Sequence, residues 1–489
     1  MLVGGSPIRV LRLTSAGARQ VAAWFSGVPV AGGDPARALA RRLLDAGIAN
    51  PDWTASSGNA STGIGHAPGV HDVTVVIPVR DRHAELTRCL AGLRSCGPAA
   101  HCHGASCRPQ VIVVDDASAD PQVIAAIAAA HGARVIRRPV NGGPGAARNT
   151  GLAAASTEIV AFVDSDCVPA PGWLDRLLPH FADPAVGAVA PRIVPHEAGA
   201  SWLARYEGAS STLDMGARPS IVRPGARVSY VPGAALVVRQ TAAGGGFADG
   251  MFVGEDVDFI WRMSAAGWRV RYEPAAVMGH DHRVRFRAWF SRRADYGTSA
   301  ADLERLHPGS VRPLYASWWT VGAWAAALSG RPVTATALTA AATALLARRL
   351  STVTGERWPL PATPQHAGRA GAWRLAVRLA GGGTLAAGRP IGSALSRTWW
   401  PIAIPAAVVF PRLRLPVAAL ILAPPLLDWA DRRPPLDPAR YVAARLIDDA
   451  AYSLGVWQGC LKRRTIRPLL PALGNRRQPT QSRSANSTS

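Results

Sequence analysis

Two carboxylates one residue apart, Asp164 and Asp166, close the run Glu158-Ile-Val-Ala-Phe-Val-Asp-Ser-Asp-Cys-Val-Pro169. Ile159, Val160, Phe162 and Val163 follow one another without alternation, the pattern of a strand buried on both faces. Such a strand ends at the carboxyl edge of a parallel sheet, where α/β folds bind their ligands. Carboxylate oxygens at that edge suit a hard divalent cation that also takes phosphate oxygens. The chemistry indicated is the handling of a nucleotide diphosphate, with an activated sugar as the substrate. An Asp-x-Asp pair also serves as a cap or a solvated turn, so the reading rests on what accompanies it.

Three further stretches accompany it. Asp116 follows the apolar run Val111–Val114, where a carboxylate can accept hydrogen bonds from a base or ribose, or form an Asx turn. Asn141-Gly-Gly-Pro-Gly-Ala-Ala-Arg-Asn149 reads as a glycine-rich loop opening a helix. Its glycines let backbone approach a ligand, and Arg148 offers a fork to phosphate. It is not a dinucleotide fingerprint, because Arg148 stands where the third glycine would be. In Phe252-Val-Gly-Glu-Asp-Val-Asp-Phe-Ile-Trp-Arg262 a helix begins, with Glu255, Asp258 and Arg262 on one face and Asp256 in the first turn. A carboxylate so placed can take the proton of an attacking hydroxyl; capping is the simpler role and does not exclude it.

The elements between these residues form a βα series. Strands are expected at Val73–Pro78, Val111–Val114, Arg134–Ile136 and Ile159–Val163, with helices at Glu85–Leu93, Pro121–His131 and Ala146–Ala155 between them. Alternating strands and helices imply a doubly wound, largely parallel sheet. Ahead of it, residues 1–50 read as a small winged-helix-like module: strand Arg9–Leu13, a helix capped by Ser15, and a second helix repeating Leu39, Leu43 and Leu44. Such modules bind DNA, or bind peptides by adding a strand to an exposed edge, and only Arg41 and Arg42 make a local basic pair. Residues 51–70 read as a linker, 71–312 as the catalytic domain, 313–474 as an apolar helical region and 475–489 as a disordered tail.

A chain of 489 residues exceeds one ordinary core, and a net charge of +22 favours anionic partners such as nucleotide phosphates, an acidic membrane face or nucleic acid. Tryptophans and apolar runs accompany the basic excess after Arg331, which suits a membrane surface better than a DNA-reading face. The apolar stretches Leu314–Ser329, Val333–Leu346, Trp399–Phe410 and Leu415–Trp429 are each shorter than the roughly 20 residues of an upright span. Re-entrant hairpins, tilted spans, interfacial helices and an alanine-rich soluble domain all remain open. No secretory leader is visible at Met1–Pro7, so the catalytic part is expected on the cytoplasmic face of the membrane. Cys89, Cys167 and Cys460 read as packed, inert thiols; Cys96, Cys102 and Cys107 with His101 and His103 are either a zinc site or an unstructured insert.

Five motifs in order, Val75-Val-Ile-Pro-Val-Arg80, Val113-Val-Asp-Asp-Ala-Ser118, Ala146-Ala-Arg-Asn-Thr-Gly151, Asp164-Ser-Asp166 and Gly254-Glu-Asp-Val-Asp258, resemble a family 2 glycosyltransferase with the GT-A fold. The resemblance covers about residues 72–300. It implies an inverting enzyme that uses a nucleotide-diphosphate sugar and Mg²⁺ or Mn²⁺. By position, Asp256 would be the general base, with Glu255 beside it in the catalytic pair. Asp116 would contact the base and Asp164 the ribose or metal, with Pro78, Arg148 and Arg262 in the donor-binding set. Asp166 would hold the metal, with His280 or His282 touching metal or diphosphate. The Gln-x-x-Arg-Trp box of processive synthases has no clear copy, which counts against long-chain synthesis.

The whole layout, from Val3-Gly-Gly-Ser-Pro-Ile-Arg9 to the apolar tail, is similar to the glycosyltransferases of mycofactocin systems. That narrower resemblance implies UDP-glucose as donor and premycofactocin, a peptide-derived redox cofactor, as acceptor, with β-linked glucosides as products. No nucleic-acid partner is expected on this reading. The competing readings are a membrane glycosyltransferase of lipid-linked or cell-surface polysaccharide, a nucleotidyltransferase and, from another class, a nucleic-acid-binding protein. The last would leave Asp164, Asp166 and Asp256 without a task.

Overall fold

The structure is a computed structural model and describes residues 2–30, 33–53, 67–95, 108–355 and 365–474. The cysteine and histidine cluster at 96–107 and the tail from 475 lie outside the described residues. Two compact units divide the chain, Met1–Val284 and Arg285–Ser489. The boundary between them falls earlier in the chain than the change of texture at Pro313.

The first unit is built on a nine-stranded mixed sheet. Its strands are β3 (Val73–Val79), β4 (Gln110–Asp116), β5 (Arg134–Arg138), β6 (Ile159–Val163), β7 (Cys167–Pro169), β8 (Val186–Pro195), β9 (Ser220–Val222), β10 (Ala235–Arg239) and β11 (Arg269–His280), following β1 (Leu2–Gly4) and β2 (Arg9–Leu11) of the N-terminal module. The order is β5-β4-β3-β6-β10-β8-β11-β7, with β9 paired to β11 off that path. β3, β4, β5 and β6 are mutually parallel, as the βα series predicts. β10 runs antiparallel to both β6 and β8, β11 returns parallel to β8, and β7 and β9 pair antiparallel with β11, so the sheet is mixed. Every residue of β3 and β6 is buried, in keeping with their unbroken apolar runs.

Helices α3 (His83–Ser95), α4 (Pro121–Ala130) and α5 (Gly143–Ala154) connect these strands. α5 begins at Gly143 rather than Ala146, because Pro144 sits in its first turn, where a missing N–H costs nothing. It lies close on β3 at Gly151: a Cβ there would stand 2.2 Å from Cγ1 of the buried Val76.

The N-terminal module pairs β1 with β2 antiparallel and packs α1 (Ser15–Phe25) and α2 (Asp34–Asp45) around Leu11, Val21, Leu43 and Ala46. The cap of α1 is Thr14 rather than Ser15; its hydroxyl accepts from the Gly17 N–H. The module is tied to the sheet by charge. Arg223 donates to the carbonyls of Asp45 and Ser6 at 3.0 and 3.1 Å, Arg269 pairs with Asp45, and Arg41 with Asp183.

The second unit is helical. Its helices Phe286–Leu306 and Pro438–Lys462 meet along Gly297, Gly455 and Gly459, whose lack of side chains lets the backbones touch. A buried Arg293–Asp448 pair at 2.9 Å joins the same two helices. Among the described residues, one helical stretch, Pro411–Arg432, is long and apolar enough to cross a membrane by length and composition, with 11% of its apolar window buried. It is longer than the run Leu415–Trp429 because Pro411 opens the helical stretch instead of breaking it.

Replacing Gly151 by alanine is expected to cost about 1–3 kcal/mol through overpacking against Val76, read as a lowered thermal midpoint. An unchanged midpoint would show that α5 is free to lift from β3.

Candidate active site

The carboxyl ends of β3, β4 and β6 carry charged side chains: Arg80 and Arg82 just past β3, Asp116 on β4 and Asp164 just past β6. Asp116 is the last residue of β4 and is 4% exposed. Its Oδ1 accepts from Arg138 Nε at 2.8 Å and the Gly142 N–H at 3.0 Å, and its Oδ2 accepts from the Gly143 N–H at 2.8 Å. The carboxylate therefore pins the glycine-rich loop, so its free lone pairs, rather than a bare carboxylate, are what a ligand would meet.

Arg148 on α5 is buried at 2% exposure, and its fork points inward. One terminal nitrogen donates to Asp164 Oδ1 at 2.7 Å, the other to Glu255 Oε1 at 2.9 Å. Burial works against its charge, but Asp164 and Glu255 outweigh that and raise its pKa further above the ordinary arginine range. The guanidinium also lies 5.3 Å from the centre of the Phe247 ring. Arg148 thus joins the Asp-x-Asp turn to the start of α6 (Glu255–Ala265), far along the chain.

α6 is capped by Gly254, whose φ of 80° is a left-handed conformation that a side chain would strain. Asp256 is half-buried. Its Oδ2 accepts from the Gly233 N–H at 2.8 Å and its Oδ1 from the Val257 N–H at 2.8 Å. Glu255 behaves differently. Burial and the neighbouring charge of Asp256 push its carboxyl up to about 7, against the pull of Arg148.

Asp166 sits on the other side of Asp164. One oxygen, Oδ2, is held by Arg82; the other, Oδ1, is buried, accepts no hydrogen bond and lies 3.6 Å from His280 Nε2. Burial opposes ionisation of Asp166, but the positive charge of His280 when protonated and that of Arg82 more than offset it and hold the carboxyl below its usual range. Burial also lowers His280, which favours the neutral imidazole that a metal requires. His282 is 3.4 Å from His280 through their Nδ1 atoms and reaches Ser211 Oγ at 2.9 Å. Among the described residues no three metal-ligating side chains converge as they would in a closed cage. The donor set fits a different kind of site. An orphaned carboxylate oxygen beside a neutral imidazole suits Mg²⁺ or Mn²⁺ that completes its shell from substrate phosphates.

Two members of the expected donor set stand apart. Arg262 spends its fork on Asp258 Oδ2 at 2.8 Å and the Gly246 carbonyl at 2.6 Å. Pro78 lies buried within β3, opposite Val114. Several contributors were not singled out from the sequence. Arg82 is foreshadowed only by the basic Arg80-Asp-Arg82 run at the end of β3. Asn149, which clasps Phe247 through both backbone groups at 2.9 and 2.7 Å, carries no distinctive signal. Gly233, whose N–H orients Asp256, carries none either. Cys89 and Cys167 are free and buried, and burial pushes both thiols up.

The Glycosyl transferase family 2 model matches residues 74–239, and the Glycosyl transferase family group 2 model residues 159–363. The chain is 39% identical over 482 residues to a Mycobacterium tuberculosis (strain ATCC 25618 / H37Rv) protein named Pre-mycofactocin glycosyltransferase, covering 96% of this chain and 94% of that one. It is 26% identical over 258 residues to Glycosyltransferase AglE of Haloferax volcanii, covering 51% of this chain and 80% of that one. Among solved structures it is similar to the mannosyltransferase PcManGT from Pyrobaculum calidifontis in complex with GDP-Man and Mn²⁺. That match has 20% identity and a TM-score of 0.38, covering 74% of this chain and 97% of that one.

The raised Glu255 carboxyl has a signed consequence. Between its ordinary value of 4.5 and about 7 the folded state holds a proton that the unfolded chain has released. Stability from this group is therefore present below about pH 4.5 and lost as pH rises through about 7. Glu255→Gln should flatten the fall in thermal midpoint across that window relative to the parent. Parallel curves would contradict the shift.

Proposed function

The chain belongs to glycosyltransferase family 2 with a mixed α/β GT-A core, and from that premise we propose that it transfers a hexose from a nucleotide-diphosphate sugar onto premycofactocin. The observation that carries the acceptor is the relative named Pre-mycofactocin glycosyltransferase, which aligns along nearly the whole chain, N-terminal module and helical region included. On this reading the donor is UDP-glucose and the product a β-linked glucoside. The N-terminal module holds the peptide-derived acceptor or a partner, and the exposed helical stretch Pro411–Arg432 meets the cytoplasmic face of the membrane.

The proposed step is a single displacement. The acceptor hydroxyl oxygen forms a bond to the anomeric carbon as the bond from that carbon to the diphosphate breaks, and the hydroxyl proton passes to Asp256. Backbone donors from Gly233 and Val257 fix Asp256 while leaving lone pairs for that proton. One displacement inverts the anomeric centre. Asp166 and His280, with Asp164 adjacent, would hold Mg²⁺ or Mn²⁺, which when bound neutralises charge on the departing diphosphate. Arg148 has both terminal nitrogens on carboxylates. It keeps Asp164 and Glu255 in register across the cleft.

A second reading draws on relatives named O-antigen chain rhamnosyltransferase, WbaN being 28% identical over 196 residues, and on the same apolar helical stretch. It assigns the same chemistry to a lipid-linked acceptor. Mass-shift assays with a panel of UDP- and GDP-sugars against premycofactocin and a polyprenyl-linked sugar separate the two. Glycosylation of the lipid alone would overturn the primary assignment.

Asp256→Asn is expected to lower kcat by about 10²–10⁴-fold while the dissociation constant for UDP, measured by calorimetry, stays within about twofold. An equal loss of UDP affinity and turnover would remove Asp256 from the role of base.

A further inference from the structure

Asp166 is the carboxylate whose two oxygens are treated most unequally in this site. Oδ2 is gripped by Arg82, while Oδ1 is buried, unpartnered and turned toward His280 Nε2 at 3.6 Å. Arg82 lies beyond the end of β3 and its side chain is 36% exposed, so it can leave without opening a hole in the core. Its charge is drawn by Asp166 first, then Asp164 and Glu85. A cation is therefore already bound to the carboxylate that the proposed metal must use. A divalent ion on Oδ1 would stand across one carboxylate from the guanidinium on Oδ2, and the two positive charges would repel.

We propose that Arg82 is a resident counter-cation of the metal site: it occupies Asp166 until the divalent ion arrives with the donor diphosphate, and then yields Asp166 and pairs with phosphate. The proposal rests on the reading that Asp166 and His280 hold a divalent ion. A guanidinium is suited to both halves of the exchange, because its fork matches carboxylate and phosphate alike. The physical consequence is coupling. Metal alone must displace Arg82 with no compensation, whereas metal with diphosphate offers the guanidinium a new partner. The ion and the nucleotide therefore bind better together than apart, and the coupling is reciprocal.

The test is Mn²⁺ binding to the full-length protein, with and without UDP, followed by electron paramagnetic resonance of the free ion. Arg82→Gln should bind Mn²⁺ alone at least about fivefold more tightly than the parent, and its gain in Mn²⁺ affinity on adding UDP should shrink by a similar factor. Arg82→Lys, which keeps the charge and loses the fork, should lie between the two. A merely structural Arg82 would weaken metal binding or leave it unchanged when replaced, and either result in Arg82→Gln overturns the proposal while the metal reading stands. Asp166→Asn is the control. If Mn²⁺ binding is undetectable in every protein, or indifferent to Asp166→Asn, the metal reading itself fails and the proposal falls with it.

Discussion

The geometry of the site depends on the charge of one buried guanidinium. Arg148 donates to Asp164 at the end of β6 and to Glu255 at the start of α6, so a single cation from α5 closes the gap between two acidic stretches that would otherwise repel each other. With Asp256 and Asp166 nearby, four carboxylates crowd one region, and removing water from them is costly unless cations are supplied from within. The protein supplies two, and divides the labour: Arg148 sits deep and is fully committed, while Arg82 sits at the rim on Asp166.

The rest of the first unit can be understood as the means of bringing Arg148 to that point. Gly151 lets α5 settle on β3, Asp116 holds the loop that opens α5, and Asn149 ties α5 to the Phe247 segment. That segment leads on to Gly254 and the acidic helix start at Glu255 and Asp256. The parallel strands β3 to β6 carry Asp116 and Asp164 at their carboxyl ends, and the antiparallel insertion of β10 brings Gly233, just ahead of it, against Asp256. Strand order thus decides which backbone N–H orients which carboxylate.

Much of this was legible in the sequence. The unbroken apolar runs of β3, β4 and β6 placed Asp116, Asp164 and Asp166 at strand ends, and the turn at Gly254 placed Glu255 and Asp256 at a helix start. What the sequence could not show is the direction in which a side chain points. Arg148 reads as a phosphate fork because it follows a glycine-rich loop, yet burial turns it toward carboxylates. Arg262 shares a helical face with Glu255 but is spent on Asp258 and the Gly246 carbonyl. Arg82 drew no notice because its partner is 84 positions away, a pairing set by sheet order rather than by spacing. The antiparallel position of β10 likewise follows from long-range topology that local periodicity does not encode.

The measurement that bears most directly on the claim that Arg148 unites the site is a double-mutant cycle on thermal stability with Arg148→Met and Glu255→Gln, run at about pH 8 so that Glu255 carries its charge. Arg148→Met alone strands the buried Glu255 carboxylate, whereas Arg148→Met with Glu255→Gln does not. The account predicts that the double variant is less destabilised than the sum of the single ones, by a coupling of about 1–3 kcal/mol. Simple additivity would contradict it, and would mean that the two acidic stretches are held together by something other than this guanidinium.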